Sequence, residues 1–157
     1  MKIRVAWLGR VAASPYEAQV ETYRKRVQRR WPCEDAALRP VAGGRENDPE
    51  RVLRLEAEAL LRHHEQGWKM VALDERGRSR SSEAFAQWLA GLQDQGVAGI
   101  SFVVGSDLGL HPSLLDRADE KISLSPMTLP HLLARLLLWE QLFRTTHILG
   151  GGAYHRI

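Results

Sequence analysis

The chain has 157 residues, of which 44% are hydrophobic and 26% are charged. This composition is typical of one folded domain over residues 1–157, and it argues against a disordered or membrane-embedded chain. The single cysteine, Cys33, excludes an internal disulfide and a cysteine-based zinc site. Because no apolar run is long enough to span a membrane and no signal peptide is evident, we expect a cytoplasmic protein that binds neither metal nor membrane.

Positive charge is concentrated at the start of the chain. Residues 1–30 contain eight basic and two acidic residues, whereas the whole chain has a net charge of only +3. Such asymmetry favours a polyanionic partner, most simply nucleic acid, although a solvated helix face would explain the same charge. The candidates for RNA contact lie near the end of the first predicted helix: Arg24, Lys25, Arg29 and Arg30.

Strands and helices alternate along the chain. The spacing of apolar residues predicts strands at 2–8, 36–41, 68–73, 100–104 and 121–124. It predicts helices at 15–30, 49–66, 82–95, 112–118 and 130–146. The first helix should begin with a capping box at Ser14 to Glu17, and a polar turn at residues 74–78 should follow the third strand. This alternation predicts an α/β fold, a mostly parallel sheet with helices on both faces.

The last helix is apolar on almost every side. Nine of the twelve residues from Leu132 to Phe143 are apolar, so the helix has to be buried on more than one side. One side can face the sheet. The other can face a second subunit in a symmetric homodimer, or it can be covered by helix 15–30 of the same chain.

Several common catalytic signatures are missing from the sequence. It contains no dinucleotide-binding G-x-G-x-x-G after the first strand, no P-loop, no G-x-S-x-G elbow and no H-E-x-x-H motif. These absences argue against dinucleotide chemistry, nucleotide triphosphate chemistry, serine hydrolysis and zinc proteolysis of the usual kinds.

Two loops at the carboxyl ends of predicted strands remain as candidate ligand sites. Gly105 and Gly109 bracket a turn in which backbone can approach a ligand closely. The loop at residues 125–130 has proline at its second and last positions, which holds its main-chain groups outward and suits recognition of an adenine-type base. A tight strand-to-helix turn and a helix lead-in would explain the same residues without a ligand.

The end of the chain carries a further candidate. Three glycines at 150–152 precede Tyr154, His155 and Arg156. An aromatic ring, an imidazole and a guanidinium can stack on a base and bind phosphate. A short frayed tail is the alternative.

Five segments together resemble a known family. They are Leu73-Asp-Glu-Arg-Gly77, Ser81-Ser-Glu-Ala-Phe85, Phe102-Val-Val-Gly105, the segment from Ile122 to Arg144, and Tyr154-His-Arg156. In these residues the chain resembles the ribosomal RNA large subunit methyltransferase H family, which are small SPOUT-class enzymes. The resemblance extends from the first strand to the tail.

The resemblance implies a C-terminal trefoil knot, a homodimer, and S-adenosylmethionine as methyl donor. It implies N3 of a pseudouridine in 23S rRNA as acceptor, within a stem-loop at the ribosomal subunit interface. The family's cofactor contacts fall on these positions: Leu73, Gly105, Leu124, Ser125, Pro126, Met127, Thr128 and Leu129. A non-catalytic ribosome-binding factor and a SPOUT methyltransferase for tRNA are the alternatives.

Removal of the acceptor proton calls for a base, and histidine titrates in the right range. We expect His155 to be that base, with Tyr154 stacked on the target base and Arg156 on a phosphate. The rival base is His131. Arg135 could stabilise a uridine anion or fix the dimer, and the proton could also leave directly to water.

Two positions depart from the family pattern. Ser106 and Asp107 follow Gly105 where the family usually has glycine, asparagine or proline and then a further residue before the next glycine. The Asp107 carboxylate could favour a cationic sulfonium, or a side chain here could narrow the loop. Ala153 stands where proline is usual before the tail, and its freer backbone should cost at most about 1 kcal/mol when the tail orders.

Overall fold

The predicted alternation of strands and helices is present in the computed structural model, which describes residues 1–41 and 47–151. The strands are β1 Lys2–Leu8, β2 Cys33–Leu38, β3 Lys69–Ser79, β4 Gly99–Val104 and β5 Glu120–Ser123. The helices are α1 Glu17–Val27, α2 Pro49–His63, α3 Ser82–Asp94, α4 Pro112–Leu115 and α5 His131–Leu149, with a 3₁₀ turn at Val11–Ala13. Within these residues, none of the helices is both long enough and apolar enough to cross a membrane.

The five strands form one sheet in the order β2-β1-β4-β3-β5, and every pairing is parallel. β4 lies in the middle and is buried along its whole length, as expected for a strand covered on both faces. α1, α3 and α5 cover one face around Trp7 and Phe102. α2 and α4 cover the other face around Ala72 and Val103. The predicted α/β fold, with a parallel sheet and helices on both faces, is confirmed.

Several predicted boundaries are wrong because contacts distant in sequence set them. β2 spans Cys33–Leu38 rather than 36–41, since Ile3 of β1 pairs with Cys33. α1 begins at Glu17 rather than residue 15 and ends at Val27 rather than 30. The predicted capping box is absent: Tyr16 is the N-cap residue, and Ser14 Oγ instead accepts a hydrogen bond from the Tyr16 amide at 3.3 Å.

The other helices also differ from their predicted limits. α2 ends at His63, where residue 66 was expected, and α4 is a single turn that ends at Leu115 rather than 118. α5 runs to Leu149, three residues beyond its predicted end. The last turn of a helix frays or tightens into a 3₁₀ turn, so the apolar pattern alone does not define the residue at which the helix ends.

β3 does not end at residue 73 as predicted. Leu73 and Arg78 both pair with Ile122 of β5, so residues 74–77 leave the ladder as a loop and the strand then resumes. A Cβ at Gly77 would lie 2.7 Å from the backbone of Ile122. Glycine therefore allows the strand to rejoin the sheet, and the polar turn predicted for 74–78 is a loop within a strand.

α5 packs between α1 and α3 on one face of the sheet. Leu138, Trp139, Leu142 and Phe143 are buried there, and the ring of Phe143 lies 5.6 Å from that of Tyr23 in α1. α1 therefore covers part of α5 within the chain, which is the alternative that the sequence left open. Leu133 and Leu137 remain half-buried.

Arg135 lies on the buried side of α5 and is fully enclosed. Its Nε and Nη2 donate to the two oxygens of Asp35 at 3.0 and 2.6 Å, and Nη1 donates to Glu17 at 2.9 Å. The indole groups of Trp7 and Trp139 also donate to Asp35. Burial alone would lower the pKa of the Arg135 guanidinium, but these carboxylates raise it above its ordinary value.

We expect Arg135→Met to destabilise the fold by about 3–5 kcal/mol, because it leaves the Asp35 carboxylate buried without its ion-pair partner. Arg54→Met is the matched control, since Arg54 forms an exposed pair with Glu58 one turn away and should cost at most about 1 kcal/mol. Urea unfolding of both variants measures the difference. Equal midpoints would show that the network contributes little.

Candidate active site

A cavity of about 340 Å³ lies beside the carboxyl ends of β4 and β5. Its walls are the 74–77 loop of β3, the loop that follows β4, the loop that follows β5, and the first turn of α5. Loops at this edge of a parallel sheet form the usual ligand site of α/β folds. Both loops that the sequence indicated therefore meet at one cavity.

The loop after β4 is a tight turn stabilised by its own backbone. The Gly109 amide donates to the Ser106 carbonyl at 2.9 Å. A Cβ at Gly105 would lie 2.2 Å from the Gly109 carbonyl oxygen. Only glycine fits at position 105 without displacing this cavity wall.

The two side chains that depart from the family pattern have specific partners. Ser106 is buried, and its hydroxyl donates to Glu56 of α2 at 2.6 Å. Asp107 Oδ1 lies 2.6 Å from Nδ1 of His131, so the imidazole donates to the carboxylate. Ser106 thus connects the loop to α2 by a hydrogen bond, and Asp107 connects it to the start of α5 at the edge of the cavity.

The loop after β5 is held by short-range hydrogen bonds. The Ser123 hydroxyl donates to the Ser125 carbonyl at 2.8 Å, and Ser125 Oγ accepts from the Met127 amide at 3.0 Å. Thr128 donates to Glu75 of the β3 loop at 2.5 Å, which joins two walls of the cavity. Met127 is 75% exposed, an unusual position for a large apolar side chain unless it meets a ligand or partner.

The structure brings together most of the residues that the resemblance assigns to the cofactor. Seven of the eight line the cavity: Leu73, Gly105, Leu124, Ser125, Met127, Thr128 and Leu129. Pro126 is exposed and is not among the lining residues.

Sequence reasoning missed three charged groups of this cavity. Asp74, Glu75 and Arg76 line it together with Asp107, and the polar Asp-Glu-Arg run after the apolar strand was the available signal. Burial raises the pKa of Asp74, but hydrogen bonds from the Arg76 side chain and amide hold it below its usual value. Three carboxylates and one guanidinium therefore line the cavity. Over residues 1–41 and 47–151 no cluster of three His, Cys, Asp or Glu side chains is arranged to hold a metal ion.

The candidate catalytic residues are placed very differently. His131 lines the cavity, whereas the Arg135 guanidinium lies in the ion-pair network with Asp35 and Glu17. We therefore assign Arg135 a structural role. Tyr154, His155 and Arg156, together with Ala153, lie outside the described residues, so their catalytic role stays a prediction.

The predicted RNA-contact residues divide into two pairs. Arg24 makes two 2.8 Å hydrogen bonds to Glu21, and Lys25 Nζ lies 3.5 Å from the same carboxylate. Arg29 and Arg30 are exposed beyond the end of α1.

Comparison with known proteins identifies the family. A model described as "Predicted SPOUT methyltransferase" matches residues 1–155. Two relatives, from Rhizobium rhizogenes and Rhodospirillum centenum, are 39% and 42% identical and are matched over at least 99% of both chains. Both are named ribosomal RNA large subunit methyltransferase H. The chain belongs to this family of SPOUT methyltransferases.

Solved structures agree with the family's fold. A probable methylase family protein from Haemophilus influenzae superposes with a TM-score of 0.56 at 10% identity, over 95% of this chain and 68% of the other. A probable methyltransferase from Bordetella pertussis gives the same TM-score at 13% identity, over 92% and 95%. At these identities the likeness extends to the fold alone.

Proposed function

We propose that this protein, as a single domain over residues 1–157, transfers a methyl group from S-adenosylmethionine to N3 of a pseudouridine in 23S rRNA. The observation that carries the proposal is the cavity at the edge of the sheet, whose walls contain the family's motif residues. The acceptor would lie in a stem-loop at the ribosomal subunit interface. Such a substrate places the enzyme in the cytoplasm.

The residues around the cavity fit this methyl donor. A volume of about 340 Å³ is within the range of small-molecule sites, about 300–1,000 Å³. Residues 124–129 would present main-chain groups to the adenine, and glycine at position 105 allows the tight turn that forms the opposite wall. The carboxylates of Asp74, Glu75 and Asp107 make the site negative, which favours a sulfonium cation.

When bound, S-adenosylmethionine supplies an electrophilic methyl group, so the protein's task is to position the acceptor and to remove its proton. N3 of the pseudouridine is a weak acid and becomes nucleophilic when that proton leaves. We assign removal of the N3 proton to His155, stacking on the target base to Tyr154 and a contact with an RNA phosphate to Arg156. The glycines at 150–152 connect these residues to α5.

A contact in the structure favours His131 as the alternative base. Because Asp107 accepts from Nδ1, Nε2 of the neutral ring is left as the proton acceptor. His131 also lines the cavity. If His155 is the base, its replacement should change the pH dependence of methyl transfer; if His131 is the base, its replacement should do so.

We also propose that the enzyme is a homodimer with a C-terminal trefoil knot. The knot rests on family membership. The dimer rests in addition on α5, where Leu133 and Leu137 lie one turn apart and stay half-buried beside the helices that cover the rest of α5. A second copy would remove this apolar stripe from water.

Light scattering should give the mass of two 17.8 kDa chains at micromolar concentration. Leu133→Glu with Leu137→Glu should yield a folded monomer, because burial of two carboxylates in an apolar interface opposes association. A wild-type protein that is monomeric and well folded would contradict the dimer.

The function is tested with labelled S-adenosylmethionine and two substrates, 70S ribosomes whose 23S rRNA lacks the modification and unmodified tRNA. Label in 23S rRNA supports the proposal, whereas label in tRNA alone identifies a tRNA methyltransferase. A non-catalytic ribosome-binding factor would bind ribosomes without transferring label. Calorimetry with S-adenosylmethionine shows whether such a protein has also lost the cofactor site.

A further inference from the structure

A second cavity of about 630 Å³ lies where the C-terminal ends of α1 and α5 meet. Arg26, Arg29 and Arg30 line it from the α1 side, and Phe143 and His147 line it from α5. Among residues 1–41 and 47–151, it shares no lining residue with the cavity proposed for the methyl donor. All three arginines are exposed.

The positive charge in this cavity is not neutralised by neighbouring acids. Among the described residues, no carboxylate forms an ion pair with Arg26, Arg29 or Arg30, in contrast to Arg24 and Lys25, which share Glu21. The ends of α1 and α5 each contribute about half a negative charge from the helix dipole. Three full positive charges outweigh that contribution, so the cavity favours anions.

Aromatic rings hold two of these guanidinium groups in place. Arg26 lies 5.1 Å from the ring centroid of Phe143, and Arg30 lies 5.1 Å from that of Trp31. Stacking of this kind orients the planar donor groups without using their hydrogen-bonding capacity. Phe143 itself is only 5% exposed, so it offers no face on which a base could stack. The geometry therefore suits a phosphate group rather than a nucleobase.

We propose that this arginine cavity binds backbone phosphates of the RNA substrate, an inference that rests on the proposed rRNA methylation. Guanidinium groups bind phosphate through paired hydrogen bonds as well as charge. The proposal replaces Arg24 and Lys25 with Arg26 as the RNA-contact residue of α1, and it adds the end of α5 to the contact surface.

The arginine cavity lies far from the cavity proposed for methyl transfer. His131 at one end of α5 borders the methyl-donor cavity, and His147 near the other end borders the arginine cavity. Sixteen residues at about 1.5 Å each place the two about 24 Å apart along the helix. The arginines therefore hold RNA several nucleotides away from the reacting base in any one chain, and they should affect binding rather than the methyl-transfer step.

The test is the triple variant Arg26→Gln, Arg29→Gln, Arg30→Gln. Its matched control removes three exposed arginines from α2, on the opposite face of the sheet: Arg51→Gln, Arg54→Gln, Arg62→Gln. We expect the KM for 70S ribosomes to rise at least ~10-fold in the first variant only, with kcat and S-adenosylmethionine affinity unchanged. The slope of log affinity against log salt should fall by about 2–3, since each lost phosphate contact removes about 0.7–0.9.

A third variant, Arg26→Lys, Arg29→Lys, Arg30→Lys, keeps the charge but loses the paired hydrogen bonds of the guanidinium groups, so its ribosome affinity should lie between those of the wild type and the glutamine variant. The inference is overturned if the glutamine variant matches its α2 control in KM and salt slope, or if lysine fails as completely as glutamine. Ribosome binding is also measured by cosedimentation, without methyl transfer. A wild-type protein that binds ribosomes through these arginines but methylates no rRNA would overturn the proposed function and leave this inference standing.

Discussion

Deletion of Tyr154 to Ile157 should lower methyl transfer to ribosomes by at least ~100-fold, the lower end of the effect of losing a positioned general base. S-adenosylmethionine binding should remain nearly intact, because the cavity-lining residues that the structure describes lie between 73 and 134. Dimerisation should also persist, because Leu133 and Leu137 are unchanged. Single-turnover transfer with saturating cofactor measures the chemical step. Calorimetry and light scattering on the same protein serve as controls.

Single substitutions then separate the two candidate bases. His155→Ala should account for most of the loss and should remove the rise of rate with pH that a histidine base produces around its ordinary pKa of about 6.5. His131→Ala should keep that profile if its role is only to hold the loop through Asp107. Ala153→Pro should raise activity slightly, since it restricts the chain before the tail.

The opposite pattern is equally informative. A truncated enzyme that methylates ribosomes at the normal rate would show that the tail has no catalytic role. In that case His131→Ala and Asp107→Asn together should abolish the pH dependence. If neither the tail deletion nor the His131 and Asp107 substitutions change the pH dependence of the rate, the N3 proton leaves directly to water.

Gly105→Val should lower S-adenosylmethionine affinity by about 100-fold or more. The new Cβ would meet the Gly109 carbonyl oxygen at 2.2 Å, so the loop has to move. Loss of two hydrogen bonds to the cofactor, at about 1.4 kcal/mol each, corresponds to about 100-fold in affinity. Isothermal titration measures the affinity, and the far-UV spectrum should be unchanged because the clash is confined to the turn between Gly105 and Gly109.

Gly91→Val in α3 is the matched control for this experiment. Its Cβ meets nothing within 4 Å, and α3 contributes no residue to the cavity. The control should bind the cofactor with wild-type affinity. If Gly105→Val binds S-adenosylmethionine with unaltered affinity, the cofactor site does not include the loop after β4.

The order of elements could be predicted from the sequence because each strand and helix has its own apolar period. The predicted limits of β2 and β3 were wrong because pairing with a neighbouring strand determines where each strand begins or ends. Glu34 and Asp35 do not resemble a strand, yet pairing with β1 places both in β2. The Asp74 to Gly77 run has the composition of a turn, and only the pairing of Arg78 and Ser79 with β5 shows that the strand continues.

The loops of the candidate site could also be predicted from the sequence, but the contacts between them could not. Glycine and proline indicated both loops, and the resemblance supplied the candidate cofactor residues, since a site proposed to bind through main-chain groups leaves little side-chain signal. The partners of Arg135 could not be predicted, because Asp35 lies 100 residues away in sequence. The same applies to Asp107 and His131, whose contact joins two loops that only the fold brings together.

The central claim is tested most directly by mapping the product. Ribosomes whose 23S rRNA lacks the modification are incubated with the enzyme and S-adenosylmethionine, and the rRNA is digested and analysed by mass spectrometry. We predict one added methyl group, on N3 of one pseudouridine in a stem-loop at the subunit interface. A methyl group on another nucleotide, or unchanged 23S rRNA with an enzyme that binds S-adenosylmethionine, would contradict it.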